Sequence, residues 1–203
     1  MHVEFLVEEE SCAEFLKILA PQLLKPDDTF RIHPFAGKPD LLNALPVRLR
    51  GYASWLPHDW KIVVLVDRDQ DECVGLKSRM DISARNAGLR TPSKSSDKSR
   101  FQVLNRIAIE ELESWFFGDV LALTSAYPRV PRTLADKRKY RDSDAITGGT
   151  WEALERTLQA AGYYPAGMPK IEVARNVAQH MIPDRNRSPS FKTFRDAIRG
   201  MCV

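Results

Sequence analysis

Carboxylates gather at three points of this 203-residue chain, each behind a stretch of strand-forming residues. Val7 runs into Glu8-Glu9-Glu10, Val66 into Asp67-Arg68-Asp69-Gln70-Asp71, and Ile109 into Glu110-Glu111-Leu112-Glu113. Converging carboxylates make an oxygen-only ligand set, which selects a hard divalent cation; Mg²⁺ or Mn²⁺ is the expected partner, and Zn²⁺, with its preference for Cys and His, is not. If Glu8, Asp67 and Asp69 lie about 5 Å apart, each ionised pair repels by roughly 3 kcal/mol at an effective dielectric of about 20, and a cation removes that cost. An acid before a helix also serves as a cap or as a partner of the helix dipole. Taken singly, Glu9, Glu10, Glu72 and Glu110 fit that simpler role. Asp67 and Asp69 flank an arginine behind an apolar strand, a pattern that no single capping geometry explains.

The acids need elements that carry them to one place. HVEFLV (2–7) alternates Val3, Phe5 and Val7 on one side of a first strand. Ser11 and Glu14 form a capping-box pattern, and Phe15, Ile18, Leu19 and Leu23 then recur at helical spacing, predicting a helix over about 11–24. TFRIHPF (29–35) reads as a second strand. Gly37-Lys38-Pro39-Asp40 reads as a turn into a helix disturbed at Pro46. KIVVLV (61–66) is continuous and β-branched, as in a central strand covered on both faces. A helix from Asp71 to about Ala87, a serine-rich polar loop (90–100), a strand over 101–109 and a helical IEELESWFFGD follow. The alternation predicts an α/β core with a mainly parallel sheet flanked by helices over 1–119. In such sheets ligands lie beyond the carboxyl ends of the strands, where the acids are.

Beyond residue 119 the strand signal stops, and 120–203 reads as a helical appendage packed on the core. Its predicted apolar faces are Trp151, Leu154, Leu158 and Ala161, then Ile171, Ala174, Ala178 and Met181, then Phe191, Phe194 and Ile198. Charge is divided unevenly: residues 1–128 carry 16 Lys/Arg against 19 Asp/Glu, a balance of −3, and residues 129–203 carry 14 against 8, a balance of +6. An acidic half for metal beside a basic half for phosphate suits an enzyme acting on a polyanion. Lys38, Arg68, Lys137, Arg138, Lys139 and Arg141 are candidates to grip a phosphate backbone, with Tyr140 as a candidate base-stacking ring. Three widely spaced cysteines, no CxxC pair, an acidic N-terminus unlike a signal peptide and no long apolar run lead to the expectation of a cytoplasmic protein outside the membrane.

The VEE at 7–9 and the VDRD at 66–69, about 58 residues apart and each closing a predicted strand, resemble the two signature motifs of the Toprim domain. GKPDLL, LVDRDQDEC, IAIEELESWFFGD and GGTWEALE are similar to text of a bacterial family of small stand-alone Toprim-like proteins, related to nucleases of the overcoming-lysogenization-defect type. The Toprim likeness covers about residues 1–115. It implies a Toprim-like, Rossmann-like sheet, with Glu8 as metal ligand or general acid/base and Asp67 and Asp69 as metal-binding aspartates. Asp71, Glu111 and Glu113 become candidates for a second ion. The implied activity is Mg²⁺- or Mn²⁺-dependent hydrolysis of DNA or RNA, in phage defence or DNA repair, beside a separately encoded ABC-type ATPase. The chain departs from the family pattern at Glu9, where a glycine is usual, and at Cys12, where an acid is frequent.

Other readings are weaker. A receiver domain would require a lysine after a fifth strand, and a haloacid-dehalogenase-like phosphatase would carry its DxD on the first strand. Gly148-Gly149-Thr150 lacks the lysine of a phosphate-binding loop. Trp115, Phe116 and Phe117 read as packing residues, and His33, His58 and His180 as structural or surface residues. The alternative of a different class is a non-catalytic module binding nucleic acid or a partner protein.

Overall fold

The computed structural model describes residues 1–92 and 101–201; most of the serine-rich loop and Cys202 lie outside the described residues. The elements in order are β1 (His2–Val7), α1 (Glu10–Leu23), β2 (Thr29–Pro34), α2 (Lys38–Ala53), β3 (Trp60–Asp67), α3 (Cys73–Asn86) and β4 (Val103–Ala108). Helices α4 (Glu113–Gly118), α5 (Val120–Ala126), α6 (Thr150–Ala160), α7 (Lys170–Ala178) and α8 (Pro189–Met201) follow. Three single 3₁₀ turns, Arg132–Asp136, Arg138–Tyr140 and Ser143–Ala145, bridge α5 and α6.

The four strands form one sheet in the order β2-β1-β3-β4, and every pairing is parallel. The period-2 pattern of a strand sends alternate side chains to opposite faces. On β3, Val63 and Leu65 enter one apolar cluster while Ile62, Val64 and Val66 enter another. The second cluster is closed by α2 and α3 through Leu41, Leu45, Leu49, Leu76 and Met80. The first is closed by α1 and by the C-terminal helices through Phe15, Trp115, Phe116, Phe191 and Phe194. The C-terminal helices therefore supply much of the core on that face.

Three local expectations are corrected. The capping box does not form: Glu9 is the N-cap residue of α1 and makes no cap hydrogen bond, while Ser11 Oγ donates to Glu9 Oε1 at 2.5 Å. Glu14 instead pairs with Lys17 and with Arg175 of α7, so tertiary packing claims it. Helix α2 runs through Pro46 without a break, because Leu41, Leu45, Leu49 and Tyr52 are all buried along it. Each such burial stabilises by about 1.5–3 kcal/mol, together more than the roughly 3 kcal/mol cost of an interior proline. Helix α7 is rotated from the expected face: Ile171 is exposed, and Val173, Ala174, Val177 and Ala178 are buried.

Candidate functional site

The chain passes from β1 to β2 on one side of the sheet and from β3 to β4 on the other. Strand order thus reverses between β1 and β3, and the carboxyl ends of those two strands border a crevice. Glu8 leaves β1 there and Asp67 closes β3 there. The two are joined: Asp67 N–H donates to Glu8 Oε2 at 3.1 Å, and the Lys38 backbone N–H also faces the Glu8 carboxylate. The loops after β3 and β4 are joined too, since Arg68 N–H donates to Ala108 O and Asp69 N–H to Glu110 O, both at 2.8 Å. Asp69 (φ +48°) and Glu110 (φ +61°) take left-handed backbone conformations. Non-glycine residues rarely adopt that region, at a cost of order 1 kcal/mol or more, and such strain concentrates at functional sites. The inter-loop hydrogen bonds hold it in place.

Around that crevice the carboxylates are poorly compensated. Burial pushes the Asp67 carboxyl well above the ordinary aspartate range, and Glu113, Glu8, Asp69 and Glu9 push it further. Among the described residues no donor reaches its oxygens. Glu113, buried at the start of α4, is pushed up to about 7 by burial, with Lys170 pulling down and Glu111 pushing up. Glu8 is raised by burial and by Asp69, against hydrogen bonds from the Asp67 and Lys38 backbones. The Cys12 thiol is buried beside this group, and burial together with Asp67, Glu9, Glu8 and Glu113 pushes it up, so it stays protonated at neutral pH.

Carboxylates whose charge is disfavoured by burial and by one another are stabilised in their ionised form by a cation. The donor set, Glu8, Asp67, Asp69 and Glu113, is oxygen-only, and its chemistry fits a hard divalent ion. The set is not closed: among the described residues, no three His, Cys, Asp or Glu side chains stand as a ready metal cage. Lys38 explains part of this. Its Nζ lies 2.7 Å from Asp69 Oδ2, 2.8 Å from Asp71 Oδ2 and 2.9 Å from Arg68 O, using all three of its donors. Burial lowers the Lys38 pKa, but the two aspartates raise it further, so the ammonium is firmly charged.

Over residues 7–199 the chain matches the family described as "Domain of unknown function (DUF4276)". The chain belongs to that family. No curated protein matches it. Among solved structures it is similar to the "C-terminal region of the Xanthomonas campestris pv. campestris OLD protein", at 17% identity and a TM-score of 0.49, over 98% of this chain and 95% of that one.

In this DUF4276 member, Glu8, Asp67, Asp69 and Glu113 come together at the sheet edge. Asp71 is half-exposed and drawn to Lys38. Glu111 caps α6, its Oε2 accepting from Thr150 Oγ1 at 3.0 Å and Trp151 N–H at 2.7 Å. Lys38 and Arg68 are engaged by acids, Arg68 by Glu110, because uncompensated carboxylates surround them. Arg68, Asp69, Glu110 and Glu111 line an open cleft of about 650 Å³ with the Asp144–Gly149 turn. Lys137, Lys139 and Arg141 lie outside it, around two other cavities. Tyr140 as a base-stacking ring is corrected: it is buried, stacked on Phe117 with centroids 4.7 Å apart, and its hydroxyl meets Thr157. Trp115, Phe116 and Phe117 are buried packing residues.

Two members of the site were missed. Glu9 faces Asp67 and Glu113 electrostatically and pairs with Lys170 at 3.7 Å. Lys170 arrives from α7, its ammonium over the Trp151 ring at 4.7 Å; burial lowers its pKa, and Glu113, Glu9, Glu111 and Asp67 raise it further. Glu9, the second glutamate of the EEE run, fits a helix-capping role in the sequence, and nothing local to Lys170 announces a position set by the packing of α7 on α1.

Proposed function

We propose that this chain is a metal-dependent nuclease of Toprim type, hydrolysing phosphodiesters of DNA or RNA at the carboxyl edge of β1, β3 and α4. The observation that carries the reading is the half-buried Asp67 carboxylate, raised by burial and by Glu113, Glu8 and Asp69 around it at the point where strand order reverses. Glu8, Asp67 and Asp69 would hold Mg²⁺ or Mn²⁺, with Glu113 beside them. A bound ion of this kind neutralises phosphoryl oxygens and acidifies water for attack on phosphorus. Lys38 positions the 67–71 loop through Asp69, Asp71 and the Arg68 carbonyl, and it would have to release Asp69 for that oxygen to serve as a metal ligand. Glu113, with a pKa near neutrality, can hold or release a proton at its carboxylate without a large penalty either way. The strained Asp69 and Glu110 backbones fix the rim of the cleft that a strand would enter.

A second reading, a non-catalytic module that binds nucleic acid or a partner, is favoured by the lysine lying on Asp69, with no preformed cage among the described residues. A separately encoded ABC-type ATPase as partner, and a place in phage defence or DNA repair, are supported by the motif resemblance. Cleavage of labelled single- and double-stranded DNA and RNA with Mg²⁺, Mn²⁺ or EDTA decides between the two. The nuclease reading expects metal-dependent products that Asp67→Asn with Asp69→Asn reduces at least a thousandfold. Equal inertness of both proteins on every substrate leaves the module.

A further inference from the structure

Positive charge at the acid edge is already engaged: Lys38 by Asp69 and Asp71, Arg68 by Glu110, Lys170 by Glu9. On the other side of the Ser143–Ala145 turn the situation is reversed. Arg132, Arg141 and Arg187 pair with no carboxylate among the described residues, and they line one cavity of about 220 Å³ together with Arg185.

That cavity has rigid walls. Gly118 forms part of its floor, and a Cβ there would stand 2.2 Å from Asn186 Oδ1 and 2.9 Å from Ser188 N, so only glycine lets the 186–188 segment lie flat against the end of α4. Asn186 is fully buried, donating to Trp115 O at 2.7 Å and accepting from Ser188 N–H at 2.9 Å. Arg187 N–H donates to Gly118 O at 2.8 Å, and its guanidinium pairs with no carboxylate among the described residues. Arg185 is fixed by Asp119, itself 1% exposed, through bonds of 2.7 and 3.0 Å. One carboxylate thus answers one guanidinium, and three remain. Planar guanidinium forks match phosphate oxygens in geometry and charge. The far wall is the buried Tyr140, behind which Lys137, Lys139 and Arg156 surround a second cavity. Ser143 lines the arginine cavity and the next residue, Asp144, lines the acid cleft, so one turn separates the two.

We propose that the arginine cavity is a phosphate seat for a nucleic-acid strand, holding a strand phosphate on the opposite side of the Ser143–Ala145 turn from the acid cleft. The seat deepens the nuclease reading and rests on it for the identity of the ligand. A free phosphorylated small molecule would present the same chemistry, so the test separates the two sources.

The full chain is kept in EDTA, where no cleavage occurs, and fluorescence anisotropy of labelled single- and double-stranded DNA and RNA oligonucleotides is read at several salt concentrations. Calorimetry with inorganic pyrophosphate runs in parallel. Arg141→Ala with Arg187→Ala removes two guanidinium groups and leaves the backbone hydrogen bonds of both residues in place. Arg50→Ala with Arg85→Ala, on the exposed sides of α2 and α3, removes the same charge elsewhere. The seat variant is expected to weaken binding of at least one oligonucleotide tenfold or more and to lower the salt slope by about 1.5–2, while the control changes affinity less than about threefold. Equal losses in both variants, or no oligonucleotide binding by the unmodified chain, overturn the proposal. Pyrophosphate bound at these arginines with no oligonucleotide bound overturns it in favour of a small phosphorylated ligand. Selective loss of oligonucleotide binding together with absence of cleavage in Mg²⁺ or Mn²⁺ supports the seat and removes only the nuclease reading.

Discussion

Two carboxylates four residues apart, the buried Glu4 on strand β1 and the half-buried Glu8 just past its end, are treated by the chain in opposite ways. Glu4 meets His33 Nε2, His2 Nε2 at 3.0 Å and the Tyr52 hydroxyl at 3.0 Å. Burial raises its pKa, but the hydrogen bonds from His33, Tyr52 and His2 outweigh burial and hold it below the ordinary glutamate range. At the end of the same strand Glu8 joins Asp67 and Glu113, where burial and mutual repulsion win and all three are raised. Folding can satisfy a buried carboxylate when donors are placed beside it. At the edge cluster the backbone donors on Glu8 and the Lys38 ammonium on Asp69 do not offset burial and repulsion at Glu8, Asp67 and Glu113, and carboxylates perturbed in this way at a sheet crevice are candidates for a functional site.

The contrast can be broken or sharpened by experiment. Replacing Glu4 by Ala strands two imidazoles and a phenol, and is expected to cost about 3 kcal/mol, lowering Tm by about 6–12 °C for a chain of this size. Asp67→Asn in EDTA is expected to be neutral or stabilising, since it removes repulsion; thermal melts that rank the two variants the other way would end the comparison.

The pH dependence of the metal-free protein comes next. Glu113 is raised in the folded state, so between about 4.5 and about 7 the folded protein binds more protons than the unfolded chain, and stability rises as pH falls through that window. Glu113 alone is expected to contribute at most about 3 kcal/mol between pH 8 and pH 5, and Glu113→Gln to make the rise shallower, the raised Asp67 and Glu8 supplying the remainder. Glu4 has the opposite sign: its contribution is present above the unfolded glutamate value and is lost as pH falls through its depressed folded value. Metal-free melts should therefore show a maximum near pH 5. A curve that climbs steadily toward pH 8 would contradict the raised group.

Smaller still is the effect of the ion. Mn²⁺ at about ten times its dissociation constant should stabilise by about 1.4 kcal/mol, seen as a Tm increase of about 3–6 °C that Asp67→Asn abolishes. Least of all, Lys170→Gln should move the midpoint of the Glu113 titration upward, because Lys170 holds that carboxyl down.

Much of this architecture was legible because the sheet writes itself in period two. The apolar run before Asp67 and the alternation before Glu8 placed both acids at strand ends, and parallel order then brought them to one edge. What the chain text did not reveal depends on distant partners. Glu14 looked like half of a capping box and is taken by Arg175 of α7. Glu111 looked like a ligand and caps α6, and Tyr140 looked like a stacking platform and is held by Phe117. His33 showed no nearby acid in sequence, yet the register of β1 with β2 sets His33 opposite Leu6 and two residues from the partner of Glu4. No helix among the described residues is long and apolar enough to cross a membrane.

The central claim is that the edge cluster exists to hold a hard divalent ion. Mn²⁺ titration at pH 7 by calorimetry in two buffers of different ionisation enthalpy tests it most directly, because an ion entering carboxylates with raised pKa values must displace protons. The account expects saturable binding with proton release, both lost in Asp67→Asn. No binding, or binding that Asp67→Asn leaves unchanged, would contradict it.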